Sequence, residues 1–241
     1  MAVSELWLAR HGESVANVAA THAEHNGLDV IRVDVRDADV PLSSTGEEQA
    51  AALGRWVAEH RSALDQFWVS PYLRARQTLA IALGEATPRA AVAVDERLRD
   101  RELGILDLLT RRGVARLHPE EAERRRRLGK FYHRPPGGES WADVALRLRS
   151  FLSDASQAPG ESALVVGHDA VVMLILYLLL PMEESELLTF AASHTVLNAS
   201  VTHLVRHSTG WELVEFSSVD HLQSEGAPVT VHPGSPDVEP E

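Results

Sequence analysis

Leu6-Trp7-Leu8-Ala9-Arg10-His11-Gly12 is the stretch on which the reading of this chain turns. Four apolar residues in a row, stopped by Arg10-His11-Gly12, read as a short buried strand that ends in charge. Ala163-Leu164-Val165-Val166 repeats that form and halts at Gly167-His168-Asp169. Phe67-Trp68-Val69, closed by Ser70-Pro71, and residues 91–94 read as further strands. Between them, apolar residues recur at helical spacing. Leu53, Trp56, Val57 and His60 stand at i, i+3, i+4 and i+7, after a start signal at Ser44 with Glu47 or Glu48 following. Leu73, Thr78, Leu79 and Leu83 mark the helix after Pro71, and Trp141, Val144, Leu148 and Leu152 mark another. The apolar run 171–180 reads as a core helix, and residues 195–205 and 211–216 as two strands of a closing hairpin. Residues 21–45 are polar and mixed, and read as a long loop with local structure. Strands alternating with helices predict an α/β fold, a three-layer α/β/α sandwich with a central, mostly parallel sheet.

The composition narrows the function. With 241 residues, 44% hydrophobic and 24% charged, the chain suits a globular core and excludes a mostly disordered polymer. It has no cysteine, which excludes disulfides, thiolate metal sites and a cysteine nucleophile. Lys130 is its only lysine; Phe131 follows it and Arg124 stands where a Walker A loop would need glycine. The net charge is −12, but from His207 onward there are seven acids and no Arg or Lys, leaving 28 acidic against 23 basic residues elsewhere. That balance argues against a nucleic-acid partner and still allows a small anionic substrate where a few arginines converge. The run 171–180 is too short to cross a bilayer, and Met1-Ala2-Val3-Ser4-Glu5 lacks the features of a signal peptide, so a cytoplasmic protein with no membrane partner is expected. Residues 1–220 are read as one domain with a helical flap at about 104–138. Residues 221–241, rich in Pro, Gly, Ser and acids, are read as a disordered acidic tail. Nothing in the sequence speaks to oligomeric state.

The polar segments that end the strands carry the candidate chemistry. In α/β sheets the C-terminal strand ends form the ligand crevice, so Arg10-His11-Gly12, Ser70 through Arg74, residues 97–104 and Gly167-His168 are expected to converge. Together they supply two histidines, several arginines and a carboxylate. Phosphoryl transfer without metal requires a nucleophile, a cationic clamp for the phosphoryl oxygens and an acid for the leaving group.

At Arg10-His11-Gly12-Glu13-Ser14 the chain resembles the histidine phosphatase superfamily, with its phosphoglycerate mutase-like fold. Four more segments are similar in the same order: Leu42-Ser43-Ser44-Thr45-Gly46-Glu47-Glu48-Gln49-Ala50, Ser70-Pro71-Tyr72-Leu73-Arg74-Ala75-Arg76-Gln77-Thr78, Leu98-Arg99-Asp100-Arg101-Glu102-Leu103-Gly104 and Val165-Val166-Gly167-His168. The resemblance implies that His11 is the nucleophile, forming a phosphohistidine that water hydrolyses. It implies that Arg10, Arg74 and His168 bind the phosphoryl group, and that Ser14 and Asn17 lie beside the substrate phosphate. Members usually carry Glu four residues before the glycine matching Gly104; here that position is Asp100, with Glu102 two residues on. Asp100 is the expected proton donor by register and Glu102 the reserve.

Plainer readings stand beside these. A histidine at a strand end is often a hydrogen-bonded structural residue, and Asp100 and Glu102 sit among Arg97, Arg99 and Arg101, where ion pairing would account for either. Arg76 reads as a surface arginine, and Arg124 to Arg127 with Glu120, Glu121 and Glu123 as a solvated helix face. Arg134, before Pro135-Pro136-Gly137-Gly138, is a further substrate-binding candidate on the flap. His22 with His25, and His203 with His207, are read as surface histidines, and no metal or cofactor is expected. The sequence therefore predicts a metal-independent phosphatase acting on a small phosphate monoester. A phosphoglycerate mutase or an inactive phospho-ligand binding relative are the alternatives.

Overall fold

In the computed structural model, residues 3–60, 63–84 and 92–232 are described. In chain order the elements are β1 (Glu5–Arg10), α1 (Val15–His25), α2 (Ser44–His60), β2 (Gln66–Val69), α3 (Leu73–Leu83), β3 (Val92–Val94), α4 (Arg111–Leu117), α5 (Pro119–Tyr132), α6 (Trp141–Ala155), β4 (Ser162–Gly167), α7 (Asp169–Leu179), α8 (Glu184–Ser193), β5 (Val201–His207), β6 (Gly210–Ser218) and α9 (Asp220–Ser224). The strands form one sheet in the order β3-β2-β4-β1-β5-β6. β3, β2, β4 and β1 run parallel, while β5 is antiparallel to both β1 and β6.

Why the central strands read as unbroken apolar runs is visible in what covers them. Successive strand residues point to opposite faces, and both faces of the central strands are dry. Leu6, Leu8, Ala163 and Val165 pack with Val144, Leu148 and Phe151 of α6 and Val171 to Leu176 of α7. Trp7, Ala9, Leu164 and Val166 pack with Leu53 and Val57 of α2 and Ala75, Leu79 and Ala82 of α3. All six residues of β4 are buried, as the middle of the parallel part must be. Leu148 and Leu164 have no exposed surface, and truncating either to alanine would cost about 2–5 kcal/mol.

The structure departs from the sequence reading in a few places. Within the stretch read as a loop from 21, α1 runs on to His25, capped at its start by Ser14. Ser43, not Ser44, receives the amide of Gly46 at the start of α2. His203 is not a surface histidine: its ring stacks on Trp7 at 4.7 Å and bonds Glu5 across 2.9 Å. The larger correction concerns the tail. Residues 220–224 are helical, and the chain then runs across the sandwich, where Pro228 O and Thr230 Oγ1 accept from the Gln49 amide. Apolar anchors explain why an acidic segment is ordered here: Leu222 is fully buried against Ala52 and Ala199. Residues 233–241 lie outside the described residues.

Residues 104–132 carry α4 and α5, and this flap is tied to the 26–39 loop. Thr110 Oγ1 donates to Leu28 O at 2.6 Å, Val30 bridges Leu109, and Arg112 and Arg116 pair with Asp29. Loop and flap thus form one rim at the C-terminal end of the parallel strands. Among the described residues no helix is long and apolar enough to cross a membrane.

Candidate active site

Strand register brings the candidate residues together. Arg10 at the end of β1 lies beside Gly167 at the end of β4, and Val69 at the end of β2 lies beside Val166. The residues that follow, His11, His168 and Ser70, therefore emerge side by side, and α3 and α7 begin close by. Gly12 is required by contact: a Cβ there would meet Gly46 O at 2.6 Å, and a Cβ on Gly46 would meet Glu13 O at 2.0 Å. That approach lets the start of α2 close over the Arg-His-Gly turn.

His11 is buried, and its tautomer follows from its neighbours. Nδ1 lies 2.7 Å from the Gly12 carbonyl, which only accepts, so Nδ1 carries the proton. Nε2 receives the Nε–H of Arg74 at 3.2 Å, so it presents a lone pair. Burial, then the charge of Arg74 and the proximity of His168 and Arg10, hold the ring well below the usual histidine range, overcoming the opposing bond to Gly12. The imidazole is neutral at pH 7 with an unprotonated nitrogen facing two arginines.

Arg74, in the first turn of α3, is 4% exposed, so its charge needs partners. Besides His11 it donates from Nη1 to the Asp37 carbonyl at 2.7 Å and to Asp37 Oδ1 at 2.8 Å. From Nη2 it donates to Asp37 Oδ2 at 3.3 Å and to Asp100 Oδ2 at 2.9 Å. Arg10 donates from Nη1 to the carbonyls of Val196 and His232, while its buried Nε has no hydrogen-bond partner. His168 bonds Ser70 Oγ through Nε2 at 2.8 Å. Its Nδ1 stands 3.2 Å from Asp100 Oδ2 but lacks a hydrogen-bond partner. Burial alone would raise the Asp100 carboxyl; His168, Arg74 and the Arg101 amide overcome it and hold Asp100 ionised, well below the usual carboxylate range. Gly104, four residues on, has φ +56 and a Cβ there would meet Pro136 O at 2.1 Å, so glycine is required to join this segment to the flap.

The structure thus gathers Arg10, His11, Arg74, Asp100 and His168 into one cluster. Glu102 stands at its edge, accepting the Tyr72 hydroxyl at 2.7 Å, and the Tyr72 ring lies 5.3 Å from that of His168. Ser14 and Asn17 form a capping box at the start of α1, where Ser14 Oγ accepts the Asn17 amide and Asn17 Oδ1 accepts the Ser14 amide. Arg134 does not face the cluster through any described contact; it is exposed and paired with Asp143 at the start of α6. Arg126 pairs with Glu123 on the solvated face expected from the spacing, but Glu121 departs from it: it is buried, held by Arg124 and by His133 Nε2 at 3.0 Å.

Two contributors were not foreseen. Asp37 comes from the stretch read as a long loop with local structure, and no local pattern distinguishes it. His232 comes from the segment read as disordered. Its Nε2 bonds Glu13 Oε2 at 2.6 Å, its Nδ1 bonds Thr21 Oγ1 at 2.6 Å, and its carbonyl holds Arg10.

A neutral histidine at a strand end, flanked by two buried arginines, a second histidine and an ionised carboxylate, marks the strand ends of this α/β fold as a candidate anion site. The chain belongs to the histidine phosphatase superfamily (branch 1), whose family model matches residues 6–219. It is 31% identical to a 2,3-bisphosphoglycerate-dependent phosphoglycerate mutase of Gloeobacter violaceus over 71% of this chain and 73% of that one. It is 28% identical to a Caenorhabditis elegans 6-phosphofructo-2-kinase/fructose-2,6-bisphosphatase over 71% of this chain and 33% of that one. The chain spans about a third to a half of the length of such larger relatives. Among solved structures it is similar to a mycobacterial glucosyl-3-phosphoglycerate phosphatase complexed with VO3. The TM-score is 0.70 and the identity 25%, covering 90% of this chain and 100% of that one. Its family and its neighbours support a phosphatase in general terms.

Proposed function

We propose that this protein hydrolyses a phosphate monoester, without metal, through a phosphohistidine on His11. The observation that carries the reading is the lone pair of His11 Nε2, presented by an imidazole whose Nδ1–H is held by the Gly12 carbonyl. In this reading the phosphoryl oxygens are bound by Arg10, Arg74 and His168, and the amides at the start of α7 favour the same charge. Nε2 attacks phosphorus, the bond from phosphorus to the ester oxygen breaks, and the departing alkoxide takes a proton. Water then attacks the phosphohistidine and returns His11 to its neutral form.

Asp100 is the proposed proton carrier, with Glu102 the reserve. The ionised state of Asp100 in the open site suits a base that takes a proton from the attacking water. A phosphoryl dianion that draws Arg74 away from Asp100 would raise the proton affinity of its carboxyl, preparing it as the acid for the first step. A phosphoglycerate mutase is the second reading, favoured by the name of the Gloeobacter relative. It shares the chemistry of His11 and differs in returning the phosphoryl group to a second hydroxyl.

The test is phosphate release from a panel of phosphomonoesters in the presence of a chelator, by the wild type and His11→Ala. Release is expected to survive the chelator and to fall at least about a thousandfold in the variant. Activity that persists in the variant would overturn the mechanism. Turnover that appears only with a bisphosphate primer would move the reading to the mutase, and binding without turnover to an inactive relative.

A further inference from the structure

A guanidinium has five N–H donors, and in Arg74 all five are engaged within the protein. One reaches His11 and one Asp100; the remaining three go to Asp37. Asp100 is secured independently, since its Oδ1 accepts the Arg101 amide and its carbonyl accepts Arg147. Asp37 is a third exposed and stands at the head of the short 3-10 turn Asp37–Asp39, on the loop braced by the flap. A phosphoryl group that uses the Nη1 side of Arg74 must displace Asp37, which stays at the mouth as a free carboxylate.

Asp37 is not alone there. Tyr72, whose ring lies 5.0 Å from the Arg74 guanidinium, bonds Glu102. Burial, and after it the like charge of Asp37, raise the Asp107 carboxyl above its ordinary range. The arginines of the adjoining segment face elsewhere. Arg97 pairs with Asp95 and Asp154, Arg99 and Arg147 with Glu139, and Arg101 reaches the carbonyls of Glu139 and His133. The floor of the site is cationic, and Asp37 and Glu102 put carboxylates at its mouth, while the arginines of that segment are engaged with other groups.

We infer that Asp37 is a specificity-determining residue that selects phosphate esters of neutral or cationic alcohols and disfavours esters bearing a second anion near the phosphate. The inference rests on the proposed phosphoryl position among Arg10, Arg74 and His168. Hydroxyl or ammonium groups of the alcohol part would donate to Asp37 and Glu102, whereas a second anion would meet like charge there.

Glycerol 3-phosphate and 3-phosphoglycerate form a matched pair of probes, differing by a hydroxymethyl in place of a carboxylate. Binding of both, and of inorganic phosphate, is measured by calorimetry on the wild type, Asp37→Asn and Asp37→Ala, together with kcat/KM for the two esters. The wild type is expected to prefer glycerol 3-phosphate about tenfold or more, the order of one like charge in partly solvated surroundings. Asp37→Asn should bind inorganic phosphate more tightly and lose most of that preference. An unchanged ratio in both folded variants, a wild type that favours 3-phosphoglycerate, or a wild type that binds none of the three probes would overturn the inference. Absence of turnover by the wild type would instead count against the phosphatase reading, because the binding ratio reports on Asp37 whether or not the bond breaks.

Discussion

The floor of the site and its rim are built in opposite ways. Floor residues Arg10, His11, Ser70 and His168 sit at or just past the ends of adjacent parallel strands, buried and held by backbone register. Rim residues Asp37, Glu102 and Asp107 come from irregular segments joined to one another by the bridge between the 26–39 loop and the flap. The floor is rich in donors and cations, and the rim groups that meet Arg74 and Tyr72, Asp37 and Glu102, are carboxylates. A fold that fixes the phosphoryl chemistry in its strand ends can therefore vary what it accepts by changing loops.

Where the proton carrier belongs is the sharpest test of that division. Asp100 lies with the floor and Glu102 with the rim. Asp100→Asn is expected to lower kcat about a hundredfold to a thousandfold, and Glu102→Gln tenfold or less. A collapse in Glu102→Gln with activity retained in Asp100→Asn would move the acid to the rim. The asparagine is the informative change, since its amide oxygen can still accept from Arg74 Nη2, whereas alanine removes that acceptor.

The C-terminal segment is a second way to break the comparison, because it belongs to the tail by sequence and to the floor by contact. His232→Ala, or ending the chain at Gly226, should raise KM about tenfold by loosening Glu13 and Arg10. The change in kcat should be smaller. An unchanged KM in both would show that Arg10 is positioned without the segment.

The smallest expected effect is on stability in acid. Burial keeps His11, His133 and His221 below the ordinary value of 6.5 in the folded chain, so the unfolded chain binds protons that the folded one refuses. Above about pH 6.5 both states are neutral at these rings and stability is flat. Below it stability falls, by up to about 1.4 kcal/mol per pH unit from His11 alone. Urea midpoints from pH 8 to 5 read this, and His11→Ala should fall less steeply than the wild type. A wild-type midpoint flat down to pH 5.5 would contradict it.

Much of the floor was legible because a buried parallel strand is a local pattern. The apolar runs at Leu6 to Ala9 and Ala163 to Val166, each stopped by a polar turn, name both the element and its functional end. The capping role of Ser14 and Asn17 was hidden, since the same residues suit a phosphate loop or a helix start. Arg134 was misleading for a related reason: position on the flap says nothing about which way a side chain turns, and Asp143 draws it to α6. The first part of the tail, up to His232, was misread because composition averages over a segment, whereas Leu222 and His232 hold that part through single buried contacts.

From its sequence alone this protein was determined to be an α/β sandwich whose strand ends carry an Arg-His-Gly turn, because strand burial and helical spacing are written in neighbouring residues. Only the tertiary structure decided that Asp37 holds Arg74 and that His232 holds Arg10. Those contacts join residues 37 and 222 positions apart in the chain. Such pairs leave no mark in any local pattern, because the energy that selects them exists only once the core has brought the segments together.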